Sequence, residues 1–568
     1  MQLATSVRWS CFSNRRLLPL FLRRSLPELF NPRRLWLLAA LITNGFFQVG
    51  ALAAVAFLIR EIMNASNDTA ALSVPWASGG LIAANLALGF LKWHELVASQ
   101  RLGEDYSMDM RRAAFHHLGR LSLHAQTKLR GGSLQLRFVN DLTAIRNWIS
   151  QGLARLILST IIALGAVAAL WVIEPAMGLV LSGIVVLAML GALAIGGMFD
   201  HSIRKARKRR GQIAANISEK IANTPVIQAF AHVDIERQKL KKQSRRLADA
   251  QVEKAAVTGI FRGYMIFVVG SGIAGLVAAA NWSAGPAGPD TAALVSAIGL
   301  FSLLSPNLFR LGRVYEFWKT ARIAREKLAR LFEFGPTIIP AAEPRKPRKR
   351  FSGLKVENVS LGSVLCSINC SIEATDRIVL KGENGAGKTT LLNTMLRLVE
   401  PEKGRVRLSG TDIRTISTGS LRRQISIISP SLGVMKGTIA SNIAYGSKKA
   451  DESDVAWAAE RCAMDAGNPK SPFQLERKVH EGGRNLSAGE RMRIIIARAI
   501  VSRPNLLLLD EPETHLDPAS LQVLLTLLGE FEGAWLATSH GEVLDHLATH
   551  HWSMTNGRLD IGKEVLAA

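Results

Sequence analysis

The stretch "RIVLKGENGAGKTTLLNTMLRLV", residues 377–399, decides how the second half of this 568-residue chain folds. An apolar strand-like run ends in a glycine-rich loop and a helix-like run follows, the context in which GxxxxGK[ST] cradles phosphate. Gly382, Gly385 and Gly387 let the backbone N–H groups of the loop, which also holds Glu383, Asn384, Ala386 and Thr390, turn inward at a helix start. Lys388 is expected to reach the β- and γ-phosphates of a bound nucleotide, and Thr389 to offer its hydroxyl to Mg²⁺.

Downstream, "LLLLDEP", residues 506–512, reads as a buried parallel strand ending in two acids. Asp510 is placed to hold the Mg²⁺ shell and Glu511 to orient or deprotonate the attacking water, because phosphoryl transfer is catalysed mainly by positioning and charge neutralisation. "NLSAGERMRIIIARAI", residues 485–500, opens a helix on a Ser-Ala-Gly turn, another end suited to an anion, with Met492, Ile495, Ile496 and Ala499 as its apolar positions. From Phe351 onward short apolar strands alternate with helical stretches, an α/β pattern.

The first half is different. Six stretches lack charge altogether: Leu35 to Ile59, Thr69 to Leu91, Leu156 to Ile173, Pro175 to Phe199, Gly263 to Pro289 and Thr291 to Phe309. Each approaches or exceeds the roughly 20 helical residues that cross a bilayer core. A net charge of +25 with 48% hydrophobic residues fits a membrane protein with basic cytoplasmic loops; six apolar spans exclude a nucleic-acid binder. Residues 201–262 carry 15 Lys or Arg against 5 Asp or Glu, whereas the short connections near Glu61 to Asp68, Glu174 and Asn281 to Asp290 carry no Lys or Arg. Both termini are therefore expected in the cytoplasm, with the two long charged connections forming helical stalks.

The division expected is a basic segment over 1–34, a six-span domain over 35–332, a Pro-rich linker over 333–350 and the α/β domain over 351–568. The first 34 residues hold seven arginines and one acid, Glu28, which suits an interfacial helix on anionic lipid or, alternatively, a mitochondrial transit peptide. No peptidase-like segment is read before the first span, so leader-processing peptide export is not expected. Cys11, Cys366, Cys370 and Cys462 are too scattered for a disulfide framework, and Cys366 and Cys370 are expected to be structural.

With these motifs in this order, the chain resembles the ATP-binding cassette (ABC) superfamily, and its six spans followed by one cassette look like an exporter-type half-transporter. The resemblance covers about residues 35–560. It rests on "GENGAGKTT", "LSAGE" in place of LSGGQ, "LLLLDEP", "THLD" at 514–517 and "SH" at 539–540, with the stalk phrases "RLGEDYSMDMRRAAFHHL", "LRFVNDLTAIRNWIS" and "EKIANTPVIQAFAHVDIERQKL". It implies a multi-pass α-helical membrane domain followed by a P-loop NTPase domain, acting as a dimer with a second copy or a related half-transporter. Leu486, Ser487, Ala488, Gly489 and Glu490 would form the signature offered to the partner's nucleotide, Asp517 the D-loop, and His540 the γ-phosphate switch. Glu481 matches a segment that touches the stalks across the dimer.

The departures are specific. Ser363 stands where exporters usually stack adenine on an aromatic, and "DEPETHLD" is closer to importer or soluble cassettes. In "ISIISPSLGVMKGTIASNIAYG", residues 425–446, the glutamine position of the Q-loop falls on Pro430, which has neither a side-chain amide nor an N–H. Metal coordination is then expected from Thr389, Asp510 and water, with Pro430→Gln raising ATPase activity or altering its stimulation. Asn44, Gln48, Lys92, His94 and Glu95 lie in or beside the first two spans, either facing a cavity or bonding between helices. The function implied is ATP-driven export, or inner-to-outer leaflet movement, of a lipid-like, amphiphilic or other small substrate in the plasma (bacterial inner) membrane, or the mitochondrial inner membrane. The alternative is a slow or non-catalytic half of a heterodimer.

Overall fold

The computed structural model describes residues 31–65, 73–123, 137–282, 289–333, 350–464, 473–514 and 516–562, with a few isolated positions between them. Almost all of the basic N-terminal segment lies outside the described residues, as does His515. The chain forms two compact units.

The first unit is all helix: α1 Pro32–Ala65, α2 Ser73–Leu118, α3 Arg137–Ile173, α4 Pro175–Ala222, α5 Val233–Trp282 and α6 Thr291–Glu333. All six are long and apolar enough to cross a membrane. At 1.5 Å per residue, the 46 residues of α2 make a rod of about 70 Å, more than twice the roughly 30 Å of a bilayer core. The excess is the charged stalk. Apolar side chains along the spans, such as Phe47, Leu86, Leu193 and Phe267, stand exposed, as lipid-facing positions do. Trp36, Trp76 and Trp282, near span ends, are also exposed, where an amphipathic ring suits the headgroup level.

Packing within this unit has identifiable joints. The Tyr264 hydroxyl of α5 donates to the Leu187 carbonyl of α4 at 2.7 Å, and Phe199 meets Phe261 edge-on between the same helices. Helix α1 starts at Pro32, inside the segment read as a separate basic region, because proline suits a first helical position. Its Arg34 is almost wholly buried, with Nε donating to Asp105 Oδ2 at 2.7 Å, a second ion pair to Asp109 and its guanidinium over the Tyr106 ring. Asn44, Gln48, Lys92, His94 and Glu95 form one network across α1 and α2. Gln48 Nε2 donates to Glu95 Oε2 at 3.0 Å and to Asn44 Oδ1 at 2.6 Å, Asn44 Nδ2 lies 3.2 Å from His94 Nδ1, and Lys92 Nζ donates to Glu95 Oε2 at 2.9 Å. Of the two readings these residues left open, interhelical bonding is the one observed.

The second unit is the α/β cassette, together with Arg120–Lys128 from the connection after α2; there the Leu123 amide donates to the Leu398 carbonyl at 3.2 Å. An antiparallel sheet runs β2 (Leu365–Ile372), β1 (Leu354–Leu361), β4 (Lys403–Leu408), β5 (Thr411–Asp412). The second sheet contains β3 (Arg377–Gly382), β6 (Ile425–Ile428), β9 (Leu506–Asp510), β10 (Ala534–Thr538), β11 (His550–Thr555) and β12 (Arg558–Ile561), in the order β12-β11-β3-β10-β9-β6. All but β12 are parallel, so β3, β10, β9 and β6 end on one edge. A two-stranded ribbon, β7 (Gly437–Thr438) with β8 (Lys478–Val479), completes the strands. Three helices bear on function: α7 Lys388–Met395, α8 Ala488–Ile500 and α9 Pro518–Glu530. Helix α7 stops at Met395, short of the "LRLV" expected to continue it, because Arg397 takes a left-handed φ of 53° and the Leu398 amide turns back to the Asn393 carbonyl.

Cys370 and Cys462 are buried, which pushes both thiols up to about 12; Cys366 is half-buried. No cluster of three metal-ligating side chains occurs among the described residues.

Candidate active site

The parallel edge gathers the predicted chemistry by strand register. Thr538 of β10 pairs with Leu380 of β3 on one side and Asp510 of β9 on the other, so the phosphate loop, Asp510 and His540 emerge side by side. Across β9, Ile428 of β6 pairs with Leu509, which sets the next residue, Ser429, beside Asp510.

The phosphate loop needs glycine at a defined place. Gly387 sits at φ 108° as the residue before α7, and a Cβ there would lie 2.7 Å from the Val364 carbonyl oxygen. The turn between β1 and β2, with Ser363, therefore lies against the loop without an aromatic ring. Lys388 is 4% exposed, its Nζ donating to the Gly382 carbonyl at 2.6 Å and to the Glu383 carbonyl at 3.2 Å. The same Nζ lies 3.2 Å from His540 Nε2 and 3.9 Å from Glu511 Oε1, and His540 Nε2 is 3.0 Å from that oxygen. Lysine, carboxylate and imidazole thus form one cluster at the mouth of the loop.

Glu511 is held in an uncommon conformation, φ 47° for a residue with a side chain, at a cost of order 1–3 kcal/mol. Thr538 secures it: the Glu511 amide donates to Thr538 Oγ1 at 3.0 Å and to the Thr538 carbonyl at 3.2 Å. The neighbouring acid is tied to the loop, with Thr389 Oγ1 donating to Asp510 Oδ1 at 2.8 Å.

These groups fit the nucleotide and metal that the motifs imply. Lys388 donates to two carbonyls that need no cation, and its ion pair with Glu511 is long at 3.9 Å, so its charge can be turned to phosphate oxygens. Thr389 and Asp510 bring a hydroxyl and a carboxylate together, the hard oxygen donors that Mg²⁺ prefers. When bound, Mg²⁺ supplies positive charge that offsets the charge on the phosphates.

The Q-loop glutamine position falls on Pro430, but the residue turned to the site is its neighbour Ser429. Pro430 is exposed in a turn; Ser429, 2% exposed, faces the site with its Oγ 3.4 Å from Asp510 Oδ2 and 2.8 Å from Ser431 Oγ. The signal available in sequence was position alone, since Ser429 directly follows a strand that must pair beside "LLLLD".

The signature residues form a second cluster. Ser487 caps α8: its Oγ accepts from the Glu490 amide at 3.0 Å, while its own amide donates to Glu490 Oε2 at 2.7 Å. Ala488 opens the helix, Leu486 is buried ahead of it, and a Cβ on Gly489 would lie 2.0 Å from Asp517 Oδ1. Asp517 caps α9 through Ser520, whose hydroxyl and amide hold its carboxyl below the usual carboxylate range. Glu481 is exposed. Among the described residues, no hydrogen bond or ion pair joins the signature cluster to Lys388, Glu511 or His540.

Six membrane-length helices joined to a P-loop NTPase domain with this acid, lysine and histidine geometry define a membrane-bound ATPase. Two family models match the chain, "ABC transporter transmembrane region" over residues 37–282 and "ABC transporter" over 365–514, and the chain belongs to the ABC transporter family. It is a multi-pass membrane protein whose ATPase is coupled to export. Among similar proteins, the "ATP-dependent lipid A-core flippase" of Syntrophus aciditrophicus is 24% identical over 82% of this chain and 79% of that protein. The "ATM1-type heavy metal exporter" of Novosphingobium aromaticivorans is 27% identical over 76% and 72%. The fold is shared with a solved bacterial Atm1-family ABC exporter with ATP bound, at a TM-score of 0.81 and 22% identity over 94% of this chain and 95% of that one.

Proposed function

We infer that this chain hydrolyses ATP as a dimer of half-transporters and moves a lipid-like, amphiphilic or other small cargo outward across the bacterial inner membrane, with its cassette in the cytoplasm. The observation that carries the reading is the cluster of Lys388, Glu511 and His540 within 4 Å of one another at the mouth of the phosphate loop. In this reading Lys388 binds the terminal phosphates, Glu511 accepts the proton of the attacking water, and His540 fixes the Glu511 carboxylate and contacts the γ-phosphate. Thr389 and Asp510 hold Mg²⁺, and Ser429 orients Asp510. The separation of the signature cluster from the phosphate loop supports a second copy, or a related half-transporter, as the partner whose Ser487 and Gly489 complete each site.

A slow regulatory half is the second reading, favoured by the absence of an aromatic at Ser363 and of a glutamine at Pro430. ATP hydrolysis by the purified chain, compared with Glu511→Gln, separates the two. Turnover that falls by at least about 100-fold in the variant, with ATP binding retained, supports the homodimeric enzyme. A parent with no Glu511-dependent turnover supports the regulatory half.

A further inference from the structure

A cavity of about 1190 Å³ opens among the stalk portions of α3, α4, α5 and α6, wholly within the first unit. Six cations line it: Arg137, Arg207, Arg210, Lys254, Lys327 and Arg330. Among the described residues, three carboxylates share the wall, and two of them are already engaged. Asp141 accepts from Arg207 Nη2 at 3.2 Å, and Glu316 from Lys254 Nζ at 2.5 Å. Arg207 is fixed further by donating to the Thr320 carbonyl at 2.7 Å.

Four cations and one carboxylate, Glu219, remain. Arg210, Lys327 and Arg330 have no ion pair among the described residues. Arg137 Nη1 is buried with no hydrogen-bond partner, a costly state for a charged donor unless an acceptor arrives. Like charges gathered in a concave site focus a positive potential, and guanidinium groups match the oxygen pairs of phosphate and carboxylate. Asn140, Asn147 and Gln251 add neutral donors, so the lining suits a polar molecule and disfavours a lipophilic cation.

We propose that this cavity binds a small polyanion, a molecule bearing two or more phosphate or carboxylate groups, either free in solution or as the headgroup of a lipid. That such a molecule is the cargo rests on the export reading above. The binding site does not, and it is tested without nucleotide or transport.

The full chain is placed in nanodiscs of zwitterionic phosphatidylcholine, free of nucleotide and divalent metal, and titrated calorimetrically with tri-glutamate peptide and with tri-glutamine. Tri-glutamate is expected to bind, with affinity falling as salt rises, and tri-glutamine not to bind. The double variant Arg137→Gln/Arg210→Gln should weaken tri-glutamate by at least about tenfold, and Lys327→Gln by several-fold, each with the parent's ATP-induced rise in melting temperature as proof of folding. Competition then identifies the source. Displacement by dihexanoyl phosphatidylinositol 4-phosphate well below the concentration of inositol 1,4-bisphosphate required points to a lipid headgroup, and equal displacement points to a soluble anion. Equal binding of tri-glutamine, or parent affinity for tri-glutamate in folded variants, would overturn the proposal, the latter because the peptide would then be bound elsewhere on this basic chain.

Discussion

Ser429 Oγ lies 3.4 Å from Asp510 Oδ2, on the adjoining strand edge and buried from solvent, while its neighbour Pro430 is exposed. Ser429→Ala removes that contact without altering the backbone. The apparent Mg²⁺ affinity in MgATP binding should weaken several-fold, with metal-free ATP binding unchanged, because only the orientation of Asp510 is disturbed. Pro430→Gln places an amide on an exposed turn and should change Mg²⁺ dependence less than Ser429→Ala does. Calorimetric titration of ATP at several Mg²⁺ concentrations decides, and a larger effect from position 430 would return the metal-positioning role to that residue.

Gly489→Ala would drive a Cβ against the Asp517 carboxylate and the Ser520 hydroxyl, 2.0 and 2.7 Å away. Neither atom is the free end of a flexible chain, since both belong to the cap of α9. A loss of about 1–3 kcal/mol of stability is expected, read as a lowered melting temperature of the detergent-solubilised chain.

Removing the buried cation in Arg34→Gln leaves Asp105 and Asp109 without their shared partner. Both acids are partly exposed, so the cost should lie nearer about 1–3 kcal/mol than the larger values found for fully buried pairs. Thermal unfolding followed by tryptophan fluorescence provides the measurement, and Arg34→Lys should recover only part of the loss because one ammonium cannot match a guanidinium fork.

The Asp517 carboxyl is held low by Ser520, and this fixes a sign for pH. A carboxyl lowered in the folded state contributes stability above its ordinary range and loses it as pH falls through the folded value. Asp517→Asn should therefore flatten the acid limb of a melting-temperature profile while leaving neutral pH little changed, since asparagine also caps a helix. A parallel acid limb in the variant would show that other carboxylates govern that region.

Much of this was legible in the chain itself. Charge-free runs of bilayer length define the spans because charged side chains are costly in hydrocarbon while a helix satisfies its own backbone there, and "GENGAGKTT" and "LLLLDEP" carry their chemistry locally. What sequence could not supply was side-chain direction across strands. Whether Ser429 or Pro430 faces Asp510 depends on the pleat and register of β6 against β9. Likewise, the six cations of the stalk cavity come from four helices separated by up to nearly 200 residues, and in sequence they look like solvated charge. The polar residues of α1 and α2 could have faced a cavity or one another, and only the helix pairing distinguishes these.

The cap on α8 has a chemical asymmetry. Ser487 spends a lone pair on the Glu490 amide, and that leaves its hydroxyl proton uncommitted. Receiving one hydrogen bond makes a hydroxyl a better giver of the next, so the contact that keeps the helix end from fraying would, on the proposed function, also ready a donor for a phosphate oxygen. Aspartate at this position would hold the helix equally well and have no proton to give. Helix integrity and the proposed anion recognition would then rest on one serine and could be separated by a change of a few atoms.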